Sequence, residues 1–235
     1  MIKVNLRIMK RRIRKLHSQH VIHESFRFGI LLAIAGGFLD SYTFIGRGGV
    51  FANAQTGNIV LVAIYAAKGE WVQAFANIPA IVAFVIGVIV VQSIKNDSSR
   101  LFINDWPRAV LIFEIIVLFA IGFIPSTIPN LIVNVIVSFV ASIQVCSFSK
   151  IADSPYSSTM STGNLRSAAR EAYIAFTQKD HDAAIRTIRL FTIVSSFLLG
   201  ALLGGILTLN VGVKAIWGAA IIIIGALVLY NINNS

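Results

Sequence analysis

The chain has 235 residues, with 20 Lys and Arg against 10 Asp and Glu, a hydrophobic fraction of 56% and a charged fraction of only 13%. An ordinary soluble domain carries about twice that charged fraction, and a soluble chain of this size exposes too much surface to cover with so few charges, so a soluble enzyme is excluded first. A mean hydropathy of +0.79, with unexceptional Gly and Pro, leaves an all-α polytopic membrane protein.

In chain order, residues 1–27 form a basic tail carrying Lys3, Arg7, Lys10, Arg11, Arg12, Arg14, Lys15 and Arg27. It is not a cleaved signal, because the first apolar run starts only at Phe28, contains Asp40 and ends without a small-residue cleavage site. Its cations serve either orientation alone or contact with anionic lipid headgroups. Six apolar runs follow, at 28–46, 73–94, 109–124, 130–148, 190–209 and 214–230. They approach the roughly 20 residues a helix needs to cross hydrocarbon. Lipid offers backbone amides no partners, so each span must be helical. The unbroken Ile, Val, Leu and Phe runs lack the alternation of barrel strands.

Segment 48–67 is ambiguous. It opens with Gly48-Gly49, carries Asn53, Gln55, Thr56, Gly57 and Asn58, and is solidly apolar only over 59–67. It is either a seventh span or a re-entrant half-helix. The basic residues favour the second: with six spans, 17 of the 20 fall on one side and only Arg47, Lys68 and Lys214 on the other. That asymmetry marks the rich side, with both termini, as cytoplasmic. The net charge of +10 then reflects orientation in a lipid bilayer, and no nucleic-acid partner is expected. Cys146 is the single cysteine, which excludes an intrachain disulfide.

The chain repeats itself. Ala54-Gln55-Thr56-Gly57-Asn58-Ile59 is similar to Met160-Ser161-Thr162-Gly163-Asn164-Leu165. Each follows an apolar span with a polar residue near its end, Asp40 or Gln144, and precedes two further spans. The chain divides into a first three-span repeat at 28–124, an external linker at 125–129 and a second three-span repeat at 130–235. An odd number of crossings per unit makes the copies antiparallel, the inverted plan of many secondary transporters, whose sites lie between the repeats.

Thr-Gly-Asn suits a helix start, where Thr and Asn oxygens accept from unpaired first amides and Gly allows close approach. Two such starts meeting from opposite faces would favour an anion or a polar oxygen-bearing group. The substrate-binding set is therefore Thr56, Gly57, Asn58, Thr162, Gly163, Asn164, Gln144 and Arg166, the last as an attraction for solute on the cytoplasmic side. The plainer reading makes both segments capped interfacial helices that only seal loop ends. Asp40 and Glu114 are acids within spans, which by default mark function, and they are the coupling residues; structural pairing or snorkelling is the alternative. Asn134, Ser138 and Ser142 read as interhelix hydrogen-bonding groups, and Gly200 with Gly204 as a packing seam.

Gly36-Gly37-Phe38-Leu39-Asp40-Ser41-Tyr42, followed by the stretch from Gly48 to Asn58, resembles the leading signature of the YoaK-like bacterial membrane proteins. Met160-Ser161-Thr162-Gly163-Asn164-Leu165-Arg166 resembles their second signature. The resemblance runs from about Phe28 to Tyr230. It implies a multi-pass protein of the bacterial inner membrane, described by a domain of unknown function, and supplies neither substrate nor binding residue.

No nucleophile elbow, Walker loop or dinucleotide fingerprint is present. His17, His20, His23 and His181 lie outside the spans, and Asp180-His181-Asp182 lacks further ligands at metal spacing. No enzyme activity, cofactor or metal is expected. The expectation is a small secondary transporter or exporter of an unidentified polar or anionic solute, proton-coupled through Asp40. The alternative is a non-transporting scaffold with a basic cytoplasmic face; a passive channel would need a continuous polar lining that the spans lack. A hydrated pocket between the repeats separates the first from the second.

Overall fold

The computed structural model describes residues 26–96, 105–148, 150–151, 154–155 and 161–233. The basic tail, with the lipid contact expected of it and its three histidines, lies outside them up to residue 25. The described chain is helical: α1 (Phe26–Gly46), α2 (Gln55–Ala67), α3 (Trp71–Asn96), α4 (Trp106–Ile121), α5 (Asn130–Ser147), α6 (Ser161–Gln178), α7 (His181–Val211) and α8 (Ile216–Asn233). A two-residue antiparallel pair, Lys150–Ile151 with Ser154–Pro155, stands between α5 and α6, and a 3-10 turn, Gly212–Ala215, joins α7 to α8.

Among the described residues four stretches are long and apolar enough to cross a membrane: Phe26–Gly46, Trp71–Lys95, Asn130–Ser147 and His181–Ile232. The last is two helices, because Gly212 at φ 63° turns the chain. At 16 residues α4 is shorter. It starts earlier than the apolar run, since Asp105 accepts from the Arg108 amide at 3.2 Å and Pro107 sits in the first turn. The start of α7 differs most from expectation: Asp180 accepts from the Asp182 and Ala183 amides at 2.8 and 3.1 Å, so the helix begins at His181 rather than 190.

The core joins α1, α4, α5 and α8 through Leu32, Phe38, Leu39, Leu111, Leu118, Val133, Val137, Ile216 and Ile223, all buried. Outward, α3 shows Phe75, Val82, Val85, Ile86 and Ile89, and α7 shows Leu198, Leu199, Leu202, Leu203 and Ile206. Apolar exposure of this extent suits lipid, not water.

The helix directions follow from contacts at their ends. Asn134 Nδ2, near the start of α5, donates to the Arg47 carbonyl just past α1 at 2.9 Å, while Phe28 at the start of α1 meets Phe148 just past α5. Thus α1 and α5 are antiparallel. So are α4 and α8: the Tyr230 hydroxyl donates to Asp105 Oδ1 at 2.8 Å, and Trp217 Nε1 donates to the Phe119 carbonyl at 3.1 Å. By contrast α7 lies parallel to α1, with Gly200 against Ile34, Gly204 against Phe38 and Thr208 against Gly46. In the same sense α3 lies parallel to α5, with Gly87 against Phe139 and Ser142 and Lys95 Nζ donating to the Cys146 carbonyl at 2.7 Å. A Cβ at Gly87, Gly200 or Gly204 would collide with the facing helix, so small residues set both crossings.

Residues 47–54 fold back along α1. The Asn53 side chain donates to the Gly36 carbonyl at 3.2 Å, and Gly36 lies about 15 Å below the last residue of α1 at helical rise. From this depth α2 climbs back to the end of the molecule where α1 stops and α3 starts. On the other half, α6 is held to α7 by Glu171, which accepts from Arg186 Nε at 2.8 Å and Arg170 Nη2 at 2.9 Å. Those two hydrogen bonds, Arg186 first, hold the Glu171 carboxyl below the ordinary carboxylate range.

Candidate functional site

The site grows from one carboxylate. Asp40 lies on α1 at 4% exposure, and its Oδ1 accepts from the backbone amides of Asn53 at 2.6 Å and Ala54 at 3.4 Å. Ala54, the residue before α2, makes no side-chain cap bond of its own. A carboxylate from another helix therefore takes the capping role, at the end where a helix favours negative charge. The second oxygen, Oδ2, is buried without a hydrogen-bond partner.

Around Asp40 opens a cavity of about 530 Å³, within the usual size of a small-molecule site. From α1 it takes Asp40, Ser41, Phe44 and Ile45; from the returning loop, Phe51, Asn53 and Ala54; from α2, Gln55 and Thr56. The other half supplies Ser161, Thr162 and Gly163 at the start of α6 and Phe197 and Ala201 of α7, and Phe84 of α3 completes the wall. Two helix starts from different halves of the chain thus open onto one chamber. Phe44 and Phe51 stack on each other at 4.6 Å.

Of the residues singled out in the sequence, the chamber gathers Asp40, Thr56, Thr162 and Gly163, and leaves the others outside it. Asn58 is spent on its own loop: Oδ1 accepts from the Phe51 amide at 2.8 Å, and Nδ2 donates to the Phe51 carbonyl at 2.8 Å and to Gln55 Oε1 at 2.9 Å. It pins the turn rather than capping the helix, because α2 already begins at Gln55 and Asn58 falls inside its first turn. Gly57 faces the Phe51 ring, where a Cβ would clash. Asn164 is buried within the first turn of α6 and Arg166 is exposed; neither lines the chamber.

Glu114 and Gln144 are wholly buried elsewhere, and neither makes a side-chain hydrogen bond. Glu114 shares its helix face with Leu111 and Leu118, and that face packs into the core. The two expected coupling acids are therefore separated, one on the cavity and one in the packing. Asn134 does bond across helices, to Arg47, whereas the Ser142 hydroxyl donates within α5, to the Phe139 carbonyl at 2.7 Å, and Ser138 Oγ has no partner.

Sequence reasoning missed Arg47, counted only as a loop charge. It is fully buried: Nε donates to the Tyr42 hydroxyl at 3.0 Å and Nη2 to the Ile124 carbonyl at 2.9 Å, while Tyr42 donates to the Val213 carbonyl at 3.0 Å. Arg47 and Tyr42 together so tie the end of α1 to the α4–α5 and α7–α8 connections. The signal available was its position five residues after Tyr42 and flanked by glycines. The phenylalanine walls gave none, since Phe is common throughout the apolar runs.

The family described as "Protein of unknown function (DUF1275)" matches residues 28–229. UPF0700 transmembrane protein YoaK of Bacillus subtilis (strain 168) is 28% identical over 143 residues, which cover 58% of this chain and 62% of that protein. The chain thus spans less than two-thirds of the length of this curated relative. No solved structure matches the chain. The family match takes in every residue lining the chamber, and the named relative is a transmembrane protein, as the apolar helices here require. This chain belongs to the DUF1275 family, as a transmembrane protein.

Proposed function

We propose that the protein is a small secondary transporter of a polar solute, built as an inverted repeat of two units, each of three crossings and one re-entrant half-helix. Element order supports the repeat: α1, α2, α3, α4 correspond to α5, α6, α7, α8. The corresponding first helices α1 and α5 are antiparallel, as are the corresponding last helices α4 and α8, while the cross-pairs α3–α5 and α7–α1 are both parallel. An axis in the membrane plane relating the halves requires this pattern. In this reading α2 enters and leaves from one face, and α6 from the other.

Orientation follows the basic residues. Arg27, Lys95 and Arg108 sit at the end where α1 begins and α3 and α5 finish, so that end is cytoplasmic, in the inner membrane of a bacterium. The observation that carries the function is the chamber itself: a non-transporting scaffold has no need of about 530 Å³ between two helix starts with a buried acid, Asp40, among its lining residues. Asp40 is the coupling residue in this scheme, and Glu114 belongs to the packing. Proteoliposome flux of a solute found by thermal-shift screening tests the proposal. Asp40→Asn keeps an acceptor for the Asn53 and Ala54 amides but cannot exchange a proton, so its proton-driven accumulation should fall at least tenfold. Accumulation equal to wild type contradicts the coupling role.

A further inference from the structure

The cavity has a chemistry that the helix starts alone do not suggest. Among its described lining residues Asp40 is the sole titratable group, and none of them is basic. Arg166, one helical turn beyond the α6 start, is exposed and outside the lining. Around the one acid stand the rings of Phe44, Phe51, Phe84 and Phe197, drawn from α1, the returning loop, α3 and α7. Asp40 Oδ1 already holds two amides of the loop, so α2's positive end is answered from within. What remains is Oδ2, an acceptor in low dielectric with nothing donating to it.

We infer that the chamber binds a small organic ammonium ion, its N–H donors paired with the Asp40 carboxylate and its apolar body among the four phenylalanine rings. An anion placed there would meet a carboxylate with no cation among the described lining residues to offset it. An ammonium gains a charge-assisted hydrogen bond and the negative faces of aromatic rings. The hydroxyls of Ser41, Thr56, Ser161 and Thr162 supply further polar positions. Asp40 carries either a proton or the ammonium ion, not both: the cation enters as one proton leaves, and charge in the chamber is conserved. Coupling to a proton gradient then follows from competition for one carboxylate. The inference rests on the proposed function only for what happens after binding.

The test uses purified full-length protein in detergent and three probes of one shape: phenethylammonium, the neutral 2-phenylethanol, and the anionic 3-phenylpropanoate. Binding is read by thermal shift and calorimetry at several pH values. Phenethylammonium should bind at least tenfold more tightly than either analogue, with one proton released per ligand where Asp40 starts protonated, and affinity falling toward acid pH. Asp40→Asn should abolish the preference for the cation. Should that variant not fold, Phe84→Leu keeps an apolar wall but removes a ring face, and should weaken the ammonium by roughly three- to tenfold while leaving the alcohol unchanged. Equal or tighter binding of the anion, or full ammonium affinity in Asp40→Asn, overturns the inference. So does a folded Phe84→Leu that binds both probes as wild type does. Ammonium binding without flux in proteoliposomes would leave the ligand class standing and remove transport; flux of another solute without ammonium binding would do the reverse.

Discussion

At the scale of single residues, Arg47 is a buried cation whose hydrogen bonds among the described residues go to neutral oxygens, those of Tyr42 and Ile124. Removing it orphans those acceptors and the packing of its stem. Arg47→Ala should therefore lower stability by roughly 2–4 kcal/mol. Arg47→Met keeps the stem volume and sheds a desolvated charge, so it should cost much less. Chemical or thermal unfolding in detergent measures both, and equal losses would mean that the charge, not the volume, holds the end together. Asp40 was legible in the sequence because a carboxylate in an apolar run is anomalous wherever it points. Arg47 was not, because a basic residue between glycines beside an apolar run reads the same whether it faces water or folds inward. Asn58 shows a third case: its importance was visible, but the direction of its hydrogen bonds depends on where the loop at Phe51 comes to lie.

At the scale of elements, the close crossings and the α6 anchor make separable predictions. Gly200 of α7 seats the backbone of α1 at Ile34, whereas Gly163 at the start of α6 has open space where a Cβ would go. Gly200→Ala should thus destabilise by about 1–3 kcal/mol as an overpacked contact, while Gly163→Ala should melt like wild type. Comparable melting of the two variants would contradict the assigned crossing. The Glu171 carboxyl is held below its ordinary value of 4.5 by Arg186 and Arg170. Its contribution to folding is therefore complete above that value and is lost as the pH falls through the lowered one. Wild type should accordingly melt above Glu171→Gln at neutral pH, with the gap closing in acid; a constant gap would assign the effect to shape rather than charge. A helix start at each repeated Thr-Gly-Asn was visible, but it was expected after Asn58 and Asn164, whereas the helices begin at Gln55 and Ser161; the Gly200–Gly204 seam was legible from its spacing. The start of α7 was hidden because Asp180 looks like a loop residue until it is seen capping the helix.

At the scale of the molecule, the arrangement rests on the antiparallel pairs α1 with α5 and α4 with α8 and on the meeting of α2 and α6 at one chamber. The apolar helices of a multi-pass membrane protein were readable because lipid imposes length and charge rules on any chain that crosses it. Which polar residues share the chamber was not readable, since that depends on how α3 and α7 close over the pair. The direct test is a double-cysteine cross-link in a Cys146→Ser background, pairing Thr56→Cys with Thr162→Cys in native membranes. Both positions line the same cavity, so a short bifunctional thiol reagent should join the two, and a bound solute should slow the reaction. Failure of the pair to cross-link, with each single cysteine still reactive, would show that the two helix starts share no chamber.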